Sequence, residues 1–500
     1  MADKLVGNSW LQKHYKLNLY KLTKLSYIGN NNSLQLDAVG NIEQVYGPKY
    51  AVAEEIPLLQ LEFALKYDHI NLDFIREVLL QIPPEDITAF IEQTPSGKYA
   101  RKIGFLFEFL TGKKLEIQKE ITGNYLPLLE EEKYFTGNIV RNLRWRIQNN
   151  LLGTPDYCPV VRRTRKLEEI LSISIPDKID GLKNKFSPEI FRRAINFLYT
   201  KETRSSYEIE REKPSADRMD KFVALLMKAG TEEHAETLSM QRLVELQNAI
   251  VDPRYAAAGY RDFQNYVGES LKDFREQLHY VCPPPAILEG LMKGITATAE
   301  KSKGLPAEVR AAILSFGFVF LHPFEDGNGR LHRFLIHDVL VQDGIVPQGL
   351  IIPVSAHMLN HMGEYDSILE QYSKPLMQRI KFNKEELGEI EVSNPQEVDG
   401  YFRYPDLTEQ CLYLTATIHA TLQEDMPQEL LFIQRYDEVK RSLQRIVDMP
   451  DKDINLMIMF LHQNNGILSK GKREHFKKLT EKEMDDMQAE FREVFEMDRK

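Results

Sequence analysis

Apolar residues recur every three to four positions along most of this 500-residue chain, which is the spacing of helices that bury one face. The spacing extends over residues 56–117, over residues 188–378 and again over residues 401–500. Proline and glycine residues interrupt it where helices would end. The pattern therefore predicts a mainly α-helical protein.

Two segments depart from the helical spacing. Residues 264–285 are rich in β-forming and turn-forming residues, which predicts a β-hairpin inside a helical domain. Residues 391–400 are polar and contain proline and glycine, which predicts a linker. With about 150 residues per domain as a guide, we expect a helical N-terminal domain at 1–185, a second domain at 186–390 and a helical C-terminal region at 391–500.

The charge of the chain bears on the kind of partner it could bind. The formal net charge is −10, so nucleic acid is an unlikely partner for the chain as a whole. Residues 141–166 nevertheless contain seven basic side chains, which could contact phosphates. We expect them to pair instead with the nearby carboxylates of Glu130, Glu131 and Glu132.

The chain also lacks the apolar runs of secreted and membrane proteins. Its first residues contain no apolar run of signal-peptide length, and no stretch reaches the roughly 18 uncharged apolar residues of a membrane span. The three cysteines are far apart and lack CxxC spacing, which favours neither a disulfide framework nor a zinc site. We expect a soluble cytoplasmic protein with no membrane partner.

Residues 322–333, with the sequence HPFEDGNGRLHR, contain the densest set of chemically useful side chains. Apolar helical patterns precede and follow them, so they form a loop between two core helices, with its end entering the second helix. The glycines at 327 and 329 let the backbone approach a ligand closely, and the free amides of the helix's first turn attract anions. Arg330 and Arg333, three positions apart on one helix, can bind further phosphate oxygens.

Two further side chains complete this predicted site. Asp326 offers a hard oxygen ligand that suits Mg²⁺ carried in with a nucleotide better than a metal held by the protein alone. His322 has an ordinary pKa of about 6.5, so it can accept a proton at cellular pH and is the natural general base. The residues therefore predict a nucleotide polyphosphate site at which a hydroxyl attacks phosphorus.

This segment resembles the signature of the Fic family, HPFx[D/E]GNGRxxR, without a gap or a substitution. The resemblance implies a Fic-type helical domain with a β-hairpin flap, flanked by helical regions, and a protein adenylyltransferase that moves AMP from ATP to a Ser, Thr or Tyr hydroxyl of a target protein. It assigns proton abstraction to His322, Mg²⁺ binding to Asp326, and ATP binding to Gly327, Asn328, Gly329, Arg330 and Arg333. The target protein is unidentified and could be the enzyme itself. The chain could also form a homodimer.

Three other features are similar to parts of this family. Residues 261–285 resemble the hairpin flap that aligns the target segment by strand pairing. Tyr365 and Tyr372 fall on a late helix where the family places residues of the adenine pocket. Ser206 and Glu210 match the first five positions of the inhibitory pattern [S/T]xxxE[G/N], within a helix expected near residues 200–212. The sixth position is Arg211 instead of glycine or asparagine.

The resemblance implies that Glu210 pairs with Arg333 and occupies space that the γ-phosphate needs, so the enzyme would be inhibited at rest. Two alternatives remain open. A Fic-type enzyme could transfer another phosphate-containing group or remove AMP, and a nucleotide-binding or DNA-linked regulator could use the same motif without catalysis.

Overall fold

The computed structural model describes residues 4–36, 42–52, 56–270, 276–384 and 389–496, and the described chain is mainly helical, as predicted. The helices, numbered along the chain, are α1 Asn8–His14, α2 Pro57–Tyr67, α3 Leu72–Gln81, α4 Pro84–Gln93, α5 Lys98–Thr111, α6 Arg165–Leu171, α7 Ile175–Lys185, α8 Pro188–Ile209, α9 Ala216–Leu226, α10 His234–Thr237, α11 Met240–Ile250, α12 Pro285–Lys301, α13 Ala307–Leu321, α14 Asn328–Gln342, α15 Val354–Asn360, α16 Met362–Arg379, α17 Pro395–Arg403, α18 Thr408–Ala420, α19 Met426–Ile446, α20 Asp451–Gln463, α21 Lys470–Arg473 and α22 Glu481–Val494.

Small sheets interrupt the helices. The strands are β1 Lys4–Leu5, β2 Lys24–Ile28, β3 Ser33–Leu36, β4 Ile42–Tyr46, β5 Leu126–Pro127, β6 Val140–Asn142, β7 Ile147–Asn149, β8 Tyr266–Ser270, β9 Glu276–Val281, β10 Phe382–Lys384 and β11 Ile390–Val392. The first four form a sheet in the order β1-β2-β4-β3, and the next three form one in the order β5-β7-β6. The segment predicted to form a helical N-terminal domain thus also contains two small sheets, and in the first of them residues such as Tyr27, Val45 and Tyr46 favour extended backbone.

The chain divides into two compact units. The first comprises Met1–Ile173, Thr203–Leu350 and Met358–Thr417, and the second comprises Ser174–Glu202, Ile351–His357 and Ile418–Lys500. The three domains expected from the sequence have different boundaries and stay a prediction.

The first unit has a buried core that α2, α3, α4 and α5 share with the small strands after them. Gly104 of α5 lies against the indole ring of Trp145, and a Cβ at that position would overlap the ring. Glycine inside a helix costs up to about 1 kcal/mol relative to alanine, and the close approach of the ring explains its presence here. The indole nitrogen donates a hydrogen bond to Glu108 Oε2 at 2.8 Å.

Helices α13 and α14 are the most deeply buried helices that bear on function. Every residue of α13 except Val319 is buried, and α14 is buried along most of its length. Because nearly all of α13 and most of α14 are buried, the loop between these two helices is anchored at both ends by packed structure. That loop is the one in which the sequence predicts the active site.

The second unit has its own core, to which α19, α20 and α22 contribute Val439, Leu443, Met457, Met487 and Phe491. Helix α22 begins with a capping box. Its N-cap Thr480 accepts from the backbone of Glu483, whose side chain accepts from the backbone of Thr480.

The linker predicted at residues 391–400 is wrong. Its first residues continue β11, and α17 begins at Pro395. Proline at the first position of a helix has no amide to leave unpaired and already has a helical φ, so here it starts a helix instead of breaking one. Val398 and Phe402 are fully buried.

Among the described residues, no helix combines the length and the apolar character that crossing a membrane requires.

Candidate active site

His322 lies at the point where α13 ends. Its backbone has φ 49° and ψ 58°, in the left-handed region that non-glycine residues rarely occupy, and its amide donates to the Phe318 carbonyl at 3.0 Å. Such strain persists only where the surrounding structure fixes it, and it concentrates at functional sites. The turn directs the chain away from α13 and places the imidazole at the mouth of the loop.

The hydrogen bond of the imidazole selects its tautomer. Nδ1 lies 3.1 Å from the Val319 carbonyl oxygen, which can only accept, so Nδ1 carries the proton. Nε2 is then left with its lone pair. Burial lowers the pKa of His322 to about 4, and the nearby Arg261 guanidinium acts in the same direction. The expectation of an ordinary pKa is therefore wrong, and the ring is the neutral, proton-accepting form throughout the cellular pH range.

Asn328 fixes the shape of the signature loop. Its side-chain oxygen accepts from the Phe324 amide at 3.0 Å, and its side-chain nitrogen donates to the Phe324 carbonyl at 2.9 Å. Gly327, with φ 87°, is the N-cap of α14, and a Cβ there would lie 2.8 Å from Val251. The side chain of Asn328 thus shapes the loop.

The first turn of α14 faces the carboxylate of Glu210. A Cβ on Gly329 would overlap Glu210 Oε1, so the absent side chain makes room for that carboxylate. The positive end of the helix dipole and the free amides of the first turn attract negative charge. Glu210 therefore lies in the position that the sequence assigns to a nucleotide phosphate.

Arg333 is bound on several sides, and Glu210 is the residue predicted to pair with it. Its NH2 donates to Glu210 Oε1 at 2.7 Å and to the Ser206 carbonyl at 2.8 Å, while Nε donates to Ser206 Oγ at 2.8 Å. NH1 lies 3.5 Å from the hydroxyl of Tyr365. The structure thus brings Ser206, Glu210, Arg333 and Tyr365 together, and Tyr365 is next to an arginine that the sequence predicts to bind phosphate.

Arg330 is bound by a residue that the sequence does not single out. Its NH1 donates to Glu212 and, at 3.1 Å, to the Ile250 carbonyl, and its NH2 donates to Asp326 Oδ1 at 2.6 Å. Glu212 lies two residues beyond the inhibitory pattern, and only its proximity to Glu210 could have indicated it. Arg218 also donates to Glu212, at 3.1 and 3.2 Å.

Asp326 has the exposure that a ligand of an incoming cation needs. Its side chain is 36% exposed, and Oδ1 accepts from both Arg330 and the Gly327 amide. Within the part of the chain that the structure describes, no group of three or more His, Cys, Asp or Glu side chains could hold a metal ion. These residues fit Mg²⁺ that arrives with nucleotide phosphates and uses one carboxylate, and they do not fit a dedicated cage.

The chain reverses at the end of α8 in a Schellman turn. The Arg211 amide donates to the Glu208 carbonyl at 2.9 Å, and the Glu212 amide donates to the Tyr207 carbonyl at 3.0 Å. Arg211 has φ 57°, in the left-handed region. Glycine and asparagine adopt the left-handed conformation most readily. This explains why the inhibitory pattern has glycine or asparagine at its sixth position, where this chain has Arg211.

Comparison with known proteins shows a match to a family model over part of the chain. Residues 237–340, which contain His322 and both signature arginines, match the model of the Fic/DOC family. The chain carries a Fic/DOC domain. Ser206, Glu210 and Glu212 lie before the matched residues.

Two curated relatives match parts of the chain. A probable protein adenylyltransferase of Aquifex aeolicus is 24% identical over 173 residues, which cover 30% of this chain and 51% of the relative. A protein adenylyltransferase of Caenorhabditis briggsae is 26% identical over 192 residues, which cover 36% of this chain and 34% of the relative. The chain thus spans about half of the first relative and a third of the second.

Two solved structures also resemble parts of the chain. A Fic family protein from Desulfovibrio desulfuricans G20 is 15% identical with a TM-score of 0.39, over 56% of this chain and 79% of that one. A Fic domain containing signaling protein from Bacteroides thetaiotaomicron is 18% identical with a TM-score of 0.36, over 54% of this chain and 97% of that one.

The predicted hairpin of the Fic/DOC domain is present as the antiparallel pair β8 and β9, with a bulge between Val267 and Gly268. Its tip, residues 271–275, lies outside the described residues. Arg261 connects the base of the hairpin to the signature loop, because its guanidinium donates to the carbonyls of Phe263 at 2.8 Å, Pro283 at 2.7 Å and His322 at 2.8 Å. The sequence places Arg261 at the start of the hairpin segment but gives no sign of this role.

Tyr372 contacts aromatic core residues of the first unit. Its ring stacks on Phe320 with centroids 3.8 Å apart, and Tyr280 and Tyr401 lie 6.0 and 5.0 Å away. Phe320 is two residues before His322, so the stack supports the end of α13. The place of Tyr372 in an adenine pocket stays a prediction.

The basic segment 141–166 pairs mainly within the protein, although not with the predicted carboxylates. Arg144 pairs with Glu108, Arg162 with Asp406, Arg163 with Glu168 and Arg165 with Glu169. Arg141 and Arg146 both lie near the ring of Tyr125, at 5.6 and 5.5 Å. These ion pairs neutralise much of the charge that a phosphate backbone would need.

Proposed function

We propose that this protein transfers AMP from ATP to a hydroxyl side chain of a target protein. The observation that carries the proposal is the single loop that presents a neutral histidine beside a helix N-terminus and two arginines. The domain match and the adenylyltransferases among the relatives support AMPylation at the level of the family.

In the proposed reaction, the target hydroxyl gives its proton to Nε2 of His322 as its oxygen bonds to the α-phosphorus of ATP. The bond from that phosphorus to the α,β-bridging oxygen breaks, and pyrophosphate leaves. The hydrogen bond from Nδ1 to the Val319 carbonyl keeps the imidazole in the required tautomer and stabilises the imidazolium that forms.

Binding and charge neutralisation would come from the first turn of α14 with Arg330 and Arg333. Asp326 would hold Mg²⁺ bound to the phosphates, and that ion would neutralise their charge. The hairpin flap would align the target segment by pairing with its strands. The target could be another protein or a second copy of the chain. We propose the cytoplasm as the compartment of the reaction.

We propose further that the structure represents an inhibited state. Glu210 fills the anion position at the start of α14 and pairs with Arg333, so ATP cannot place its γ-phosphate there. Because the carboxylate competes with a phosphate for the same donors, removing it should favour productive binding.

The proposal is tested by incubating the purified protein with Mg²⁺ and ATP labelled at the α-phosphate and measuring label on protein. Glu210→Ala should raise labelling roughly tenfold or more, since a hydrogen bond to a charged group contributes about 1.5–3 kcal/mol. Glu208→Ala, which removes an exposed carboxylate from the same turn, is the matched control and should change little. His322→Ala should abolish labelling in both backgrounds.

Other outcomes would overturn parts of the proposal. Label from the γ-phosphate but not the α-phosphate would show a kinase reaction on the same scaffold. Loss of label from a previously AMPylated substrate, dependent on Glu210, would show AMP removal. Equal labelling by wild type and Glu210→Ala would remove the inhibitory role of Glu210.

A further inference from the structure

Both arginines of the proposed phosphate site are covered. The side chains of Arg330 and Arg333 are each 1% exposed, although a guanidinium must touch the phosphate it binds. Glu210 and Ser206 both accept hydrogen bonds from Arg333. A different residue, Glu212, lies against Arg330.

Glu212 is held in place by two guanidiniums. It accepts from NH1 of Arg330, and Arg218 of α9 donates to both of its oxygens. The Ile250 carbonyl at the end of α11 accepts from the same two arginines, at 3.1 Å from Arg330 and 2.9 Å from Arg218. Glu212 therefore bridges one arginine of the signature and one outside it.

The Arg330 guanidinium is also incompletely satisfied in this arrangement. Its Nε is buried and has no hydrogen-bond partner among the described residues. A buried donor without a partner costs free energy, and a phosphate brought close to this guanidinium would supply one. Arg330 thus has an unused donor, while Glu212 occupies one of its terminal nitrogens.

The spacing of the two carboxylates matches the spacing of the two arginines. The Schellman turn at Arg211 separates Glu210 from Glu212, and Arg330 and Arg333 lie one helical turn apart on α14. The end of α8 therefore places one carboxylate on each arginine, so a single segment blocks both phosphate contacts.

We propose that Glu212 is a second inhibitory carboxylate, which keeps nucleotide phosphates from Arg330 so that the inhibited protein binds ATP weakly. The inference rests on the proposed function, because it takes the start of α14 as the ATP site. It differs from inhibition by Glu210 alone, in which ATP still binds but in an unreactive pose. Release of the end of α8 would then raise the affinity for ATP and would also let ATP bind in the productive position.

The test measures Mg²⁺–ATP affinity by isothermal titration calorimetry in the full chain carrying His322→Ala, which prevents turnover. Glu212→Gln keeps the shape and removes the charge, and it should tighten ATP binding about tenfold to a hundredfold, the range spanned by a hydrogen bond to a charged group. Glu208→Gln is the charge-matched control and should leave the affinity unchanged. AMP, which lacks the β- and γ-phosphates, should gain less from Glu212→Gln than ATP does.

A second variant guards against a change in folding. Arg218→Met loosens Glu212 without altering the signature residues, so it should shift ATP affinity in the same direction as Glu212→Gln, with circular dichroism confirming the fold. Unchanged or weaker ATP binding in folded Glu212→Gln would overturn the inference.

The same variants with His322 restored separate this inference from the proposed function. Tighter ATP binding without any α-label on protein would leave Glu212 as a guard of the nucleotide site and refute AMP transfer. Strong labelling by Glu210→Ala with no affinity change in Glu212→Gln would refute the role of Glu212 alone. ATP binding by none of the variants, including the Glu210→Ala, Glu212→Gln pair, would refute both.

Discussion

Arg211→Gly should strengthen inhibition, although it removes a side chain from an exposed turn. Arg211 has φ 57°, and the left-handed conformation costs a non-glycine residue about 1–2 kcal/mol. Glycine carries no such cost, although its greater freedom in the released segment offsets part of the gain. We therefore expect the inhibited conformation to gain about 1 kcal/mol.

A gain of that size changes the population of the released state about fivefold, since 1.4 kcal/mol corresponds to a factor of ten. Basal labelling of protein by ATP labelled at the α-phosphate should fall by that factor. The matched control is Arg211→Ala, which removes the same charge and side chain but keeps the left-handed cost. Labelling by Arg211→Ala should therefore stay near the wild-type rate.

The effect must act through the carboxylate that the turn positions. In a Glu210→Ala background the turn no longer places that carboxylate on Arg333, so adding Arg211→Gly should have a smaller effect than in the wild type. Equal labelling by Arg211→Gly and Arg211→Ala would refute the argument from backbone strain. If Arg211→Gly lowers labelling as much in the Glu210→Ala background as in the wild type, its effect does not act through the contact between Glu210 and Arg333.

Three further predictions concern the site itself. His322 should titrate near pH 4 in nitrogen-detected NMR spectra assigned with His322→Ala, because burial disfavours the imidazolium. Glu210→Ala should lower the pKa of His322 further, because the Glu210 carboxylate raises it. A titration midpoint near 6.5 would contradict the buried environment. Gly329→Ala should displace Glu210 without activating the enzyme, since the added Cβ would occupy the space that a phosphate needs. Labelling by Gly329→Ala as strong as labelling by Glu210→Ala would contradict this prediction. Arg261→Met should lower kcat more than the affinity for ATP and should lower Tm, because three carbonyls of the hairpin and the signature loop lose their donor. An unchanged kcat in a folded variant would show that the hairpin base is held by other contacts.

The sequence predicts most accurately what is encoded locally. The run from His322 to Arg333 is contiguous, so one loop and one helix start place the histidine, the glycines and the arginines together. The helical spacing predicts the buried helices on both sides of that loop, and the hairpin is visible from its β-forming residues. The small N-terminal sheet was missed because strands as short as β1 and β3 contain too few residues to show a period of two.

The pKa of His322 could not be predicted from its neighbours in sequence. Arg261, which acts on it, lies 61 residues earlier and reaches it through the hairpin base. The burial that lowers the pKa comes from the packing of α13 in the core. Both effects depend on tertiary structure, so a sequence pattern that identifies the base does not give its protonation equilibrium.

The contact between Glu212 and Arg330 shows the same limit and bears on mechanism. The two residues are 118 positions apart, and no short pattern joins them. The inhibitory pattern ends at the position of Arg211, yet the turn made by that residue is what brings the next carboxylate back toward α14. A left-handed residue that costs free energy therefore connects the two contacts that we propose to be inhibitory. Each contact helps to keep the turn at Arg211 in its strained conformation. Since loss of either contact leaves less to offset the strain, Arg330 and Arg333 should be released together and not one at a time.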